Sequence, residues 1–179
     1  VCLLLLTGCG KLQETEQEEE KQDDTPVQIG LVFDSFVIER WQKDRDVFVS
    51  TAKEYGAEVN VQNANGDIDA QISQIRYLIK KKVDVLVVVC IDSDGMADVI
   101  AEAEEAGIRV IAYDRMIKNA NVDLYISFDN EKVGELMGQA LVQAGLPNKK
   151  VLMLSGPTAD NNVSQVEKGF QAVMDENDI

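Results

Sequence analysis

Val27-Gln28-Ile29-Gly30-Leu31-Val32-Phe33 runs into Glu39-Arg40-Trp41, and a later apolar run ends in Ala112-Tyr113-Asp114-Arg115. Each run is too short for a buried helix and reads as a strand covered on both faces. In an open α/β sheet, side chains just past the carboxyl ends of the strands face one crevice. An aromatic ring, a guanidinium and a carboxylate gathered there suit a small polyhydroxylated ligand, which needs an apolar surface beside paired donors and acceptors.

Working outward, short apolar runs alternate with helical periods, the pattern of βαβ units and a parallel sheet. Ile68, Ile72, Ile75 and Ile79 fall at helical spacing after Asp67, which reads as an N-cap. Val83-Asp84-Val85-Leu86-Val87-Val88-Val89 follows, and its nearly unbroken β-branched character suits a central parallel strand. The pattern then predicts a helix over 96–106 closed by Gly107, strands over 109–113 and 124–127, and a helix over 131–144 stopped by Gly145 and Pro147. A strand over 151–154 and a helix over 163–176 complete the reading.

With 179 residues and 45% hydrophobic content, the chain can bury a core but is short for a protein of two full lobes. Its formal net charge of -15 repels phosphate backbones and anionic surfaces, which argues against a nucleic-acid partner. Val1-Cys2-Leu3-Leu4-Leu5-Leu6 is apolar but too short to span a membrane. Leu6-Thr7-Gly8-Cys9 resembles the bacterial lipobox, so residues 1–9 are expected to be the end of a lipoprotein signal, with Cys9 the lipidated residue that anchors the chain to the membrane. A frayed apolar tail is the plainer alternative. Residues 10–25 are polar and acidic, with too little apolar surface to offset ordering entropy, and read as a solvated tether. Cys90 lies in a buried apolar run, so neither a disulfide nor a zinc pattern remains.

Four words carry a resemblance: Glu39-Arg40-Trp41-Gln42-Lys43-Asp44-Arg45-Asp46, Ala64-Asn65-Gly66, Ala112-Tyr113-Asp114-Arg115-Met116-Ile117, and the run from Tyr125-Ile126-Ser127-Phe128-Asp129-Asn130 through Glu131-Lys132-Val133-Gly134-Glu135-Leu136. On these words the chain, from Val27 onward, resembles the periplasmic sugar-binding proteins of the ribose and xylose group. The resemblance implies a type I periplasmic-binding-protein-like α/β fold, with doubly wound parallel sheets in two lobes that close on a monosaccharide, D-xylose foremost. It places an N-terminal lobe at 26–128, a hinge crossing near 128–130, and the start of a second lobe, incomplete in this chain, at 129–179. It further implies an ABC-transporter permease as membrane partner, or a sensor histidine kinase in a signalling alternative, with no cofactor, no metal and no catalysis. If a complete clamp binds at micromolar levels, half its contacts leave on the order of -4 kcal/mol, or millimolar binding.

The same resemblance gives Arg40, Trp41, Asp114, Arg115 and Asn162 ligand roles. Physically, Arg40 can offer a fork of donors to vicinal hydroxyls, and Trp41 a flat apolar face to the C-H side of a pyranose. A solvated helix-start arginine and a core tryptophan are the plainer readings. Asp114 can accept from two hydroxyls while Arg115 donates to ring oxygens, the alternative being a surface ion pair worth about 0 to 1 kcal/mol. Asn162 is the expected amide of the second lobe, with Asn161 one register away. Asp34 ends the first strand and is a weaker candidate that would only order its loop.

Other patterns carry less. Asp92-Ser93-Asp94-Gly95 and the oxygen-rich run from Asn63 to Asp69 hint at calcium loops, but neither has glycine at the sharp-turn position, so turns and caps are expected. The chain has no histidine, and no Gly-x-Ser-x-Gly or phosphate-cradling glycine motif is present, which disfavours nucleophilic catalysis. A glycosidase or isomerase would need carboxylates placed across a substrate bond.

Overall fold

The computed structural model describes residues 25–146 and 148–179. The lipobox reading at Cys9, nearly all of the tether and the helix-stopping Pro147 lie outside the described residues.

Five strands form one parallel sheet: β1 (Gln28–Phe33), β2 (Glu58–Asn63), β3 (Val85–Val88), β4 (Arg109–Tyr113) and β5 (Leu124–Ile126). Their order is β2-β1-β3-β4-β5, so the chain winds outward in both directions from β1. The gap between the loops after β1 and β3 is therefore the topological switch point, where doubly wound sheets take ligands. Strand periodicity divides the core. Leu31, Phe33, Val87 and Val89 face one side with Trp41 of helix α1 (Glu39–Glu54). Val32, Leu86, Val88 and Cys90 face the other, under α2 (Ile68–Lys81) and α3 (Ala97–Glu105). Helices lie on both faces of β1 and β3, which is why these two strands lack an alternating polar pattern.

The α2 reading holds in detail. The Asp67 carboxylate accepts from the Ala70 N–H at 2.9 Å, and Ile75 and Leu78 are fully buried. The apolar face also carries Gln71, fully buried, whose amide donates to the Val89 carbonyl and accepts from the Ile91 N–H. A side chain thus replaces ladder partners just where the chain leaves β3, so these buried backbone groups are not left unpaired.

Beyond β5, α4 (Asn130–Ala144) and α5 (Asn161–Glu176) pack on each other around Phe170, Val173 and Met174. Their backbones nearly touch: a Cβ on Gly134 would collide with the Val166 carbonyl, and one on Gly169 with the Glu131 carbonyl. One expectation fails here. Residues 151–154 form no strand, and Leu152 and Leu154 are 86% and 89% exposed. A strand exists through its ladder rather than through propensity alone, and among the described residues none pairs with this segment.

Candidate functional site

The site is assembled at the carboxyl ends of β1, β3, β4 and β5. Asp114 follows β4 directly with φ of +63°, a left-handed conformation that Asp and Asn tolerate better than other non-glycine residues. The turn is fixed on both sides. Its N–H donates to the Ile126 carbonyl at 2.7 Å, and its own carbonyl accepts from the Ser127 hydroxyl at 2.6 Å. The carboxylate, 8% exposed, is thereby aimed away from the strand into a set of donors.

Arg40 Nη2 donates to Asp114 Oδ2 at 2.5 Å, while Asn162 Nδ2 donates to Asp114 Oδ1 at 3.0 Å and to the Asp114 carbonyl at 3.2 Å. Arg40 Nε also lies 3.4 Å from Asp44, whose other contact is a hydrogen bond from the Tyr113 hydroxyl. Partial burial works to lower the Arg40 pKa, but the hydrogen bond and charge of Asp114, with the charge of Asp44, hold it above its ordinary value. The Tyr113 phenol is raised, first by burial and then by its bond to Asp44.

Arg115 is held differently. Nη1 donates to Asp34 Oδ2 at 2.9 Å and to the Cys90 carbonyl at 3.1 Å, and Nε pairs with Asp160 Oδ2 at 2.9 Å. Each carboxylate is itself pinned by backbone, Asp34 Oδ1 by the Ser35 N–H and Asp160 Oδ1 by the Asn162 N–H. A guanidinium has five N–H donors, so Nη2 is the edge of Arg115 left over from these bonds.

Trp41 does not present an open face: it is 3% exposed, with the Arg40 guanidinium 4.3 Å from its ring centroid and that of Arg115 at 6.0 Å. In this arrangement it is a buried platform that supports two cations. Its indole N–H has no hydrogen-bond partner among the described residues, and neither has the Asn162 side-chain carbonyl. Buried unpaired polar atoms are rare, and an orphan donor and an orphan acceptor at one cluster are the complement a hydroxylated ligand would bring. Phe128, 65% exposed, lies on the same side, its ring centroid 5.5 Å from the Arg40 guanidinium.

The five residues singled out from the sequence, Arg40, Trp41, Asp114, Arg115 and Asn162, are thus brought into one contact network. Asp34 belongs to it through Arg115 as well as ordering its own loop. Asp160, Phe128 and Ser127 were not anticipated. The tripeptide Asp160-Asn161-Asn162 could have signalled the first as an N-cap beside a candidate ligand residue. The two oxygen-rich segments are turns, as expected: Asp92 Oδ1 accepts from the Asp94 and Gly95 N–H groups, and Asn63 Oδ1 from the Asn65 N–H. Among the described residues no acidic, histidine or cysteine cluster could hold a metal ion. Burial pushes the Cys90 thiol up to about 12, so it is not a thiolate at neutral pH.

Fold and site together define a class: an α/β protein whose parallel sheet gathers a network of charged and polar side chains past the carboxyl ends of its strands. The chain belongs to the periplasmic binding protein family, residues 29–179 matching the model of the periplasmic binding protein domain. It is 46% identical over 171 residues to the D-xylose-binding periplasmic protein of Haemophilus influenzae, and 44% identical to that of Escherichia coli K12. Each alignment covers 96% of this chain; the chain spans about half the length of these curated relatives (50% and 51%). An ABC transporter solute-binding protein from Clostridium phytofermentans, solved with bound β-D-glucose, superposes with a TM-score of 0.77 at 31% identity, over 83% of this chain and 48% of that one. The fold is therefore the type I periplasmic-binding-protein fold. Family membership implies an extracytoplasmic location.

Proposed function

We propose that this chain is the ligand-binding part of an extracytoplasmic receptor for a monosaccharide, D-xylose, that hands its ligand to an ABC-transporter permease. The observation that carries the reading is the convergence of Arg40 and Asn162 on the Asp114 carboxylate, beside an indole N–H and an amide carbonyl that have no partner among the described residues. Planar donors and acceptors crowded at a strand end can satisfy vicinal hydroxyls in pairs. The names of the relatives at 46% and 44% identity supply the particular sugar.

Binding would proceed without covalent chemistry. Ligand contacts drawn from the sheet side (Arg40, Asp114, Arg115) and from α5 (Asn162) favour the arrangement in which both meet, by their differential affinity for it. Residues 26–128 and 129–179 are the two bodies in this reading, with the crossing at 128–130. Cys9 would carry the lipid that holds the receptor at the membrane. Retention of the Cys9→Ala variant in the membrane fraction would contradict the anchor.

Trp41 is the sole tryptophan of the chain, so its emission reports on this site directly. Titration with D-xylose into the millimolar range should shift that emission saturably, and D-ribose and D-glucose serve as comparisons. No change with any of the three sugars, from folded protein, would contradict the reading. Cross-linking to a histidine kinase instead of a permease would move the function from uptake to signalling.

A further inference from the structure

The cluster contains a residue that no ligand role explains. Asp160 is 9% exposed and sits at the N-cap of α5, where Oδ1 accepts the Asn162 N–H at 2.9 Å. A cap needs only that oxygen. The other, Oδ2, lies 2.9 Å from Arg115 Nε, on the far side of the crossing between β5 and α4. Around this pair the polypeptide is fastened twice more: the Ser93 N–H donates to the Ala159 carbonyl at 3.0 Å, and the Asn161 N–H donates to the Ser93 hydroxyl at 3.1 Å. Ser93 is fully buried, so this is an interior junction and not a surface contact.

We infer that Asp160 is the positioning residue that couples Arg115 to the docking of α5, so that the ligand arginine is correctly aimed only when the first turn of α5 is seated against the sheet. The inference rests on the sugar-binding reading for the role of Arg115, but the coupling itself does not. Two carboxylates divide the guanidinium between them. Asp34, from the end of β1, holds Nη1 together with the Cys90 carbonyl, and Asp160, at the N-cap of α5, holds Nε, so that Nη2 is left over from these bonds. Without Asp160 the planar group would be held through Nη1 alone, by Asp34 and the Cys90 carbonyl; with Nε held as well, two of its nitrogens fix its plane. The carboxylate that aims Arg115 is also the one that orders the turn bearing Asn162. A displacement of α5 would therefore remove the Asn162 amide from Asp114 and free the Nε edge of Arg115 together.

The test is a four-variant cycle of wild type, Asp160→Asn, Arg115→Met and the double variant, each read for melting temperature and for D-xylose affinity. Asparagine caps helices about as well as aspartate, so Asp160→Asn keeps the cap and removes the charge that holds Arg115. Weakening a charge-assisted bond should cost roughly 10- to 100-fold in affinity. In the cycle, Asp160→Asn should cost much less melting temperature in the Arg115→Met background than in wild type, because its partner is already gone. Equal cost in both backgrounds would mean that Asp160 acts independently of Arg115, and overturns the proposal. So would wild-type affinity in Asp160→Asn. If Asp160→Asn is too unstable to titrate, recovery of melting temperature in the double variant traces the loss to Arg115, and no recovery overturns the coupling. Wild-type protein that binds no sugar contradicts the sugar reading alone, and the melting cycle still decides the coupling.

Discussion

Asn162, in the first turn of α5, spends one side-chain nitrogen on two acceptors of a single residue, the Asp114 carboxylate at 3.0 Å and the Asp114 carbonyl at 3.2 Å. The bond joins α5 to the tip of β4, and among the described residues the Asn162 side-chain carbonyl has no hydrogen-bond partner. An amide fixed through its nitrogen, with its oxygen unspent, is an acceptor already oriented for a hydroxyl, so little further ordering is needed on binding.

Asp114 should separate backbone from charge effects. Asparagine tolerates the left-handed conformation at φ +63°, whereas alanine there costs about 1–2 kcal/mol. Urea unfolding should therefore place Asp114→Ala below Asp114→Asn by about that amount, and both below wild type because Arg40 loses its carboxylate. Equal stability of the two variants would show that the turn is not strained.

Trp41→Phe keeps an aromatic platform and deletes the unpaired N–H. Since that N–H has no partner among the described residues, its removal should cost far less stability than Trp41→Ala, for which about 3–5 kcal/mol is expected. Sugar affinity should nevertheless fall in Trp41→Phe if the ligand accepts from the indole. Unchanged affinity would return the residue to a purely supporting role.

Gly169→Ala should disrupt the α4–α5 pair, because its Cβ meets the Glu131 carbonyl, which is backbone and cannot rotate away. Overpacking of this kind costs about 1–3 kcal/mol or more. Amide exchange in α4 and α5 should accelerate while the β1–β3 strands stay protected. Uniform loss of protection would mean that the pair and the sheet unfold as one unit.

Cys90 sets an alkaline limit. Burial raises its thiol to about 12, whereas an unfolded thiol titrates near ~8.5, so the unfolded chain loses this proton first as pH rises. The contribution is fully present below the unfolded value and is lost as pH climbs toward the folded one. Stability should fall over that window with a slope approaching ~1.4 kcal/mol per pH unit for this group, and Cys90→Ala should flatten the slope. An identical alkaline slope in the variant would contradict the assignment.

The sheet was legible because its rules are local. The runs of β1 and β3 are apolar at every position that packs, and Asp67 with the isoleucine stripe specifies α2 without tertiary help. Residues 151–154 look the same to such a reading, yet a strand needs a neighbour and composition does not report one. Within the site, Asp114 and Arg115 were visible from their place at a strand end. The second oxygen of Asp160 was not, since a capping pattern says nothing of a partner distant in sequence. Trp41 shows the same limit: its type suggested an exposed stacking face, and only the packing of Phe33 and the Arg40 guanidinium against its ring shows the face covered.

The most direct test of the central claim is calorimetric titration with D-xylose, D-ribose and D-glucose of the wild type, Arg115→Ala and Asn162→Ala, at concentrations reaching the millimolar range. Saturable heat with D-xylose, at least tenfold weaker in each variant while both remain folded, is the predicted result, tenfold being about 1.4 kcal/mol. Binding of D-xylose that is indifferent to both substitutions, or no heat with any of the three sugars, would contradict it.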